Sequence, residues 1–145
     1  RYIMKSSLLV IYLLLSFNTM QAQTKAELSA IRKGNTDFKT AEQYRNEAME
    51  LQKKGGEVNT YNANEKFKKA SENYQKAEVN YRKAMESTKN YDKANYNLGA
   101  ALYRQEKYED AAESFQYVAG ENSFDKKIRS KAYHNLGNSM MKQEK

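Results

Sequence analysis

The sequence predicts an all-α fold built from repeated pairs of antiparallel helices. The chain has no proline, only six glycines and many Ala, Glu, Lys, Gln and Asn residues, a composition that favours helices over turn-dense β-structure. Apolar residues recur three or four positions apart along most of the chain, which is the spacing of one helix face. At 145 residues the chain suits one compact domain or a short solenoid.

A 34-residue period is the clearest pattern in the chain. Five residues recur 34 positions later with the same alternation of small and large apolar types: Tyr74, Ala77, Tyr81, Ala84 and Met85 return as Tyr108, Ala111, Phe115, Val118 and Ala119. Alanine lets two helices approach closely, and an aromatic ring one turn away fills the remaining space. The period resembles that of tetratricopeptide repeats, in which stacked helix pairs bury a continuous core.

A second motif recurs with a different spacing. Asn95-Tyr-Asn-Leu98-Gly99 is followed 38 residues later by Tyr133-His-Asn-Leu136-Gly137. In both copies we expect the leucine to enter the core and the glycine to touch a partner helix. Because 38 exceeds 34 by four, the loop after Ala119 is expected to be four residues longer than usual.

These motifs divide the second half of the chain. Residues 92–125 resemble one complete tetratricopeptide repeat, and residues 126–145 resemble the first helix of a further, truncated repeat. The apolar residues Ala132, Leu136 and Met140 favour a truncated repeat. The alternative is that this helix is a terminal cap.

The first helix pair, residues 23–91, carries an insertion. Gly34 and Phe38 match Gly99 and Tyr103, but 36 residues separate Phe38 from Tyr74, whereas five separate Tyr103 from Tyr108. The 31 extra residues have helical spacing on both sides of Gly55 and Gly56, which predicts a solenoid with an elongated first helical hairpin. The alternative, an additional repeat, would place Asn64 and Glu65 at a close apolar contact, which is unfavourable.

Residues 4–22 have the pattern of an export signal. Lys5 supplies the positive start, residues 8–17 an apolar core, and Met20-Gln-Ala22 a cleavage site. The apolar run is shorter than the roughly 20 residues of a membrane span, so we expect cleavage; an uncleaved anchor is the alternative. Arg1 and Lys5 are the charged residues removed, so cleavage lowers the formal charge from +7 to +5.

The signal and four short segments resemble the tetratricopeptide subunit of the Bacteroides aerotolerance (Bat) operon; the segments are residues 31–35, 80–85, 96–99 and 132–138. The resemblance covers residues 70–145 well and 28–39 faintly, and it does not extend to the insertion. It implies a periplasmic adaptor in a Gram-negative bacterium, either free in the periplasm or peripheral to the inner membrane, acting beside membrane proteins with von Willebrand-type domains.

The sequence offers no catalytic constellation. The absence of cysteine excludes disulfides, thiolate metal sites and cysteine nucleophiles. His134, the only histidine, has neither the orienting group of a general base nor further metal ligands nearby in the sequence. We therefore predict a non-enzymatic protein without cofactor or metal. The alternative is the accessory part of an envelope enzyme whose catalytic region lies outside this sequence.

A protein or peptide segment is the expected partner. The twelve tyrosines do not indicate nucleic-acid binding, because Tyr74, Tyr81 and Tyr108 take core positions and export separates the chain from nucleic acid. Membrane-surface contact is not expected but stays open, since a basic stretch lies along the second helix of the elongated hairpin, at Lys66, Lys68, Lys69 and Lys76.

The tetratricopeptide resemblance also implies a binding groove on the concave face, lined by the first helix of each repeat. Such a cationic and aromatic surface suits an extended segment with carboxylates. The alternative is that the partner docks on the hairpin arm, the part of the first hairpin that the inserted residues form on both sides of Gly55 and Gly56. The positions carried over from the family are Lys93, Tyr96, Tyr103, Arg104, Lys131, His134, Asn138 and Lys142.

Overall fold

The computed structural model describes residues 2–86, 92–120 and 125–144, with side chains from Leu15 onward. Within these ranges all regular structure is helical, and no strand occurs. The all-α prediction is therefore confirmed. The helices are α1 (Tyr2–Lys54), α2 (Glu57–Met85), α3 (Asp92–Arg104), α4 (Tyr108–Ala119) and α5 (Lys126–Gln143).

Helix α1 is 53 residues long and continues unbroken through the predicted signal into the hairpin. Its side chains from Leu15 to Ala26 are exposed, and burial begins at Glu27. The predicted cleavage site at Ala22 falls in this exposed part, whereas the side chains of most of the signal's apolar core lie outside the described residues. No helix in the described part of the chain is both long enough and apolar enough to cross a membrane.

The first two helices reverse direction at Gly55 and Gly56, where the sequence predicts a turn. Both residues have positive φ, 67° and 84°, a conformation that glycine adopts without steric cost. Helix α2 then runs to Met85 without interruption. An additional repeat would need a turn within that stretch, so the structure contains the long hairpin in place of an extra helix pair.

A stripe of small and aromatic residues joins α2 to α1. Buried alanines on α1, Ala41 and Ala48, contribute to the hairpin core, which lets the two backbones approach closely. Tyr74 packs with Ala41 in the middle of the hairpin. The buried residues of α2 are Ala63, Ala70, Tyr74, Ala77, Tyr81 and Ala84.

The same close contact occurs in two helix pairs. A Cβ atom added to Gly34 of α1 would lie 2.6 Å from the ring of Tyr81 on α2. One added to Gly99 of α3 would lie 2.8 Å from the ring of Phe115 on α4. In each pair the glycine leaves the space that the aromatic ring fills, and Tyr81 and Phe115 are 34 residues apart in the sequence.

A second contact also occurs in both pairs. Phe38 and Tyr74 meet edge to face with ring centroids 5.5 Å apart and planes at 65°. Tyr103 and Tyr108 meet in the same way, at 5.2 Å and 68°. The pairs α1–α2 and α3–α4 are therefore built alike where they meet, although the hairpin extends far beyond the shared part.

The main core lies where α2, α3, α4 and α5 meet. Leu98 and Leu102 of α3 pack against Phe115 and Val118 of α4, and α5 adds Ala132. Each of these side chains is at most 3% exposed. Full burial of a Leu, Val or Phe side chain contributes about 1.5–3 kcal/mol, so this cluster is a principal source of stability.

Hydrogen bonds to Glu78 fasten α2 to the turn between α3 and α4. Its carboxylate accepts from Arg82 on the same helix at 2.9 Å, from Gln105 at 2.9 Å and from Lys107 at 2.8 Å. Burial raises the pKa of Glu78, but the donors from Lys107, Arg82 and Gln105 outweigh it, and the pKa lies below its ordinary value. The group is therefore held as a carboxylate in the folded state.

Helix α5 is capped at its start and covered on one side. The Asp125 side chain accepts hydrogen bonds from the backbone N–H groups of Lys127 and Ile128, at 2.9 and 3.2 Å. A cap of this kind stabilises a helix by about 1 kcal/mol. The buried residues of α5 are Ala132 and Ser139.

The second Leu-Gly motif packs only in part as expected, because Leu136 packs against the main core but Gly137 makes no close contact. Leu136 is only half-buried, and a Cβ atom on Gly137 would meet nothing within 4 Å. The reason is that no helix of the described residues covers this side of α5. The longer loop predicted after Ala119 includes residues 121–124, which lie outside the described residues.

Candidate binding groove

Helices α1, α3, α4 and α5 together line a groove with a volume of about 520 Å³. A smaller hollow of about 240 Å³ adjoins it and shares Phe38, Asn97 and Ala100 with it. The groove combines aromatic rings with carboxamides and one guanidinium group. The residues that line it are Phe38, Tyr96, Asn97, Ala100, Tyr103, Arg104, Phe115, Asn135 and Asn138.

The aromatic part of the groove is held firmly by the core. Tyr96 of α3 meets Phe115 of α4 edge to face, with ring centroids 5.7 Å apart. Its hydroxyl accepts a hydrogen bond from the Asn135 amide of α5 at 3.0 Å. Tyr103 is fixed in turn by its contact with Tyr108. Rings fixed in this way offer contact area at little entropic cost to a ligand.

The carboxamides connect the helices that form the groove. The Asn35 side-chain oxygen accepts from the Tyr81 hydroxyl at 2.9 Å and from the Asn97 amide at 3.0 Å, which joins α1, α2 and α3. Asn138 differs from these residues because its side chain, which is half-buried, makes no hydrogen bond to another described residue. It can therefore both donate to and accept from a ligand backbone.

Arg104 lies at the edge of the groove and is already paired. Its Nε donates to Glu42 Oε1 at 2.7 Å and its Nη2 donates to Oε2 at 3.2 Å, a bidentate pair between α3 and the hairpin arm. The Tyr74 hydroxyl donates to the same carboxylate. Burial raises the pKa of Tyr74, and the hydrogen bond to Glu42 raises it further, so this hydroxyl keeps its proton.

The structure brings together half of the eight residues that the sequence proposes for the groove. Tyr96, Tyr103, Arg104 and Asn138 line it. The other four do not line it and are exposed on α3 and α5: Lys93, Lys131, His134 and Lys142. The described groove is therefore aromatic and amide-rich, and its positive charges lie outside the lining.

Five of the nine residues that line the groove are not predicted from the sequence. Phe38 could have been identified, because it takes the same position in the repeat register as Tyr103. Asn97 and Asn135 take matching positions on α3 and α5 in the 38-residue register. Ala100 carries no chemical group that would attract notice. Phe115 is identified from the sequence as a core residue, and it also reaches the groove floor.

Groups that could hold a metal ion or transfer a proton are few around the groove in the part of the chain that the structure describes. Among residues 15–86, 92–120 and 125–144, no group of three or more His, Asp or Glu side chains is placed to hold a metal ion. His134 is exposed and makes no hydrogen bond to another described residue. The groove contains donors, acceptors and rings, but the lining includes no carboxylate or imidazole that could act as a general base.

No protein-family model matches the chain, and neither curated proteins nor solved structures provide a match.

Proposed function

We propose that this chain is a non-catalytic interaction scaffold with a tetratricopeptide-type solenoid, which binds a protein or peptide segment in its groove. The observation that supports it best is the repeated pair of contacts. Gly34 with Tyr81 and Gly99 with Phe115 share one geometry, and their aromatic members keep the 34-residue period of that repeat class. In such a solenoid the first helices of successive pairs line one shared concave surface.

The ligand that suits this groove is an extended segment with both apolar and acidic side chains. An apolar side chain fits between the rings of Tyr96 and Tyr103, and the ligand backbone has Asn138 to bond with. Since Arg104 is paired with Glu42, it offers little charge to a ligand. Acidic residues of the segment would instead reach the exposed cations beyond the lining, such as Lys93 and Lys142.

The proposal also includes a cellular location and a class of partner. Export by residues 4–22 would place the scaffold in the periplasm of a Gram-negative bacterium. There the resemblance to the Bat subunit suggests membrane proteins with von Willebrand-type domains as partners. The exposure of residues 15–22 is compatible with removal of the signal, because none of these side chains is buried in the fold.

Site-specific photo-crosslinking in the source bacterium tests the groove. A photoreactive residue at Asn138 should give crosslinks to a partner, whereas the same residue at Tyr61, which is 67% exposed on the hairpin arm, should not. Crosslinks from Tyr61 alone would assign partner binding to the arm and refute the groove.

Charge reversal tests whether the ligand is acidic. Lys93→Glu together with Lys142→Glu should suppress the Asn138 crosslinks, because both side chains are exposed cations on two helices that line the groove, α3 and α5. Lys68→Glu together with Lys76→Glu on the hairpin is the control and should leave the crosslinks unchanged. Arg104 is left intact, since its loss would strand the Glu42 carboxylate and disturb the fold. Crosslinks that survive the first pair would refute an acidic ligand.

A further inference from the structure

A carboxylate of the hairpin arm lies at the edge of the groove, where Glu42 pairs with Arg104. Arg104 is the only cationic side chain among the residues that line the groove in the described part of the chain. Its Nε and Nη2 atoms donate to the two carboxylate oxygens of Glu42 at 2.7 and 3.2 Å. The pair stays accessible, since the Arg104 and Glu42 side chains are 34% and 27% exposed. A ligand in the groove therefore meets the arginine together with its carboxylate.

Glu42 is fixed in this position by the hairpin. The Tyr74 hydroxyl donates to Glu42 Oε1. Tyr74 itself is 3% exposed and packs edge to face with Phe38. Helix α3 ends at Arg104, whose counterpart on α1 in the repeat register is Lys39, so Glu42 lies on the part of α1 that the insertion prolongs. The carboxylate is thus supplied by the insertion and not by the repeat pattern.

The pairing decides which groups the guanidinium can still bind. Its Nε and Nη2 atoms donate to Glu42, so the Nη1 group can donate to another acceptor. A neutral acceptor of the ligand, such as a backbone carbonyl or a carboxamide oxygen, can form that hydrogen bond without electrostatic repulsion. A ligand carboxylate would instead face the negative charge of Glu42 at close range, which is unfavourable.

We propose that Glu42 sets the ligand specificity of the groove at Arg104, where it accepts a neutral hydrogen-bond acceptor of the bound segment and rejects a carboxylate. The inference rests on the proposed function of the groove and adds where the acidic residues of the segment can lie. They are excluded from the Arg104 edge and reach the exposed cations outside the lining. Without the Glu42 charge, Arg104 becomes an unpaired cation, and the same position then favours a carboxylate.

The probe is a linear peptide selected on the wild-type chain from a random phage-displayed library and kept if it crosslinks to a photoreactive residue at Asn138. Each position of the peptide is replaced in turn by Asp and by Asn, two side chains of nearly equal size, and fluorescence anisotropy gives the affinities. At one position Asp should weaken binding to the wild-type chain roughly tenfold or more relative to Asn. This comparison needs no change to the protein.

Glu42→Gln should reverse that preference, because its amide oxygen can still accept from Tyr74 while the negative charge is gone. Adding Arg104→Gln removes the cation and should abolish the gain for Asp, which loosening of the arm would not do. Glu47→Gln is the matched control, since Glu47 lies on the same helix but pairs with Lys66, and it should keep the wild-type preference. Circular dichroism of each variant checks that the helices persist.

The outcomes separate this inference from the proposed function. A library that yields no peptide crosslinked at Asn138 would refute binding in the groove, and this inference with it. Groove-binding peptides in which Asp and Asn are equivalent at every position would overturn the role of Glu42 and leave the groove intact. Equal rejection of Asp by the wild-type chain and by Glu42→Gln would also overturn that role, because another group would then exclude the carboxylate.

Discussion

Helices α3 and α5 carry the same Leu-Gly motif in the same register, yet one is enclosed and the other is half open. Leu98 and Gly99 are buried beneath Phe115, whereas Gly137 touches no neighbour and Leu136 is only half-buried. The motif is nearly identical, so the difference arises from the helix that packs beside it. A core motif therefore marks where a helix can dock, while burial depends on whether that helix is there.

The largest expected difference between the two helices concerns aromatic side chains. Phe115→Ala removes the ring that covers α3 and should lower the free energy of unfolding by about 3–5 kcal/mol, because it empties a buried site. Tyr133→Ala, at an exposed position of α5, should change the free energy of unfolding by less than about 0.5 kcal/mol. Urea denaturation of both variants measures the contrast, and similar losses would show that α5 is covered in solution.

The glycines should respond with opposite signs. Gly99→Leu forces a side chain into the Phe115 ring and should cost about 1–3 kcal/mol. Gly137→Leu meets no atom and replaces glycine within a helix, so it should stabilise the chain by up to about 1 kcal/mol. Thermal unfolding of the two variants is the measurement. Destabilisation by Gly137→Leu would show that Gly137 is covered by a neighbour in solution.

The smallest effect concerns Glu78, which joins α2 to the turn after α3 through hydrogen bonds from Gln105 and Lys107. No corresponding carboxylate joins α5 to its neighbour among the described residues. Because the pKa of Glu78 is lowered on folding, its contribution is present above the ordinary value of 4.5 and is lost as the pH falls through the lower folded value. Glu78→Gln should therefore cost about 1 kcal/mol at neutral pH and flatten the acid branch of the stability curve. Glu113→Gln, at an exposed position, is the control. An unchanged acid branch in Glu78→Gln would refute this role.

The periodicity of apolar residues was sufficient to predict the helices, and the paired glycines were sufficient to predict the hairpin turn. The regular spacing from Ala63 to Ala84 predicts one helix, and the paired glycines at 55 and 56 predict the reversal, because both signals are local. The packing at Gly137 was not predictable in this way. It depends on a neighbouring helix, and a motif does not state whether that helix lies within the described chain.

Only part of the groove lining was predictable from the sequence, because some of its contacts involve residues distant in the chain. The register identifies Tyr96, Tyr103 and Asn138, since side-chain direction follows from position on a helix. It does not reveal that Arg104 is paired, because its partner Glu42 lies 62 residues away on an inserted arm. Interactions with an insertion have no counterpart in the repeat pattern and require coordinates.

The stripe on α2 has a consequence for the length of the arm. Its alanines, Ala63, Ala70, Ala77 and Ala84, fall every seven residues, and so do its aromatic residues, Phe67, Tyr74 and Tyr81. A strict heptad repeat imposes a left-handed supercoil, in which each seven-residue unit packs like the next. Adding or removing one heptad in each helix would thus move the Gly55-Gly56 turn by about 10.5 Å and leave every contact at the base of the hairpin unchanged.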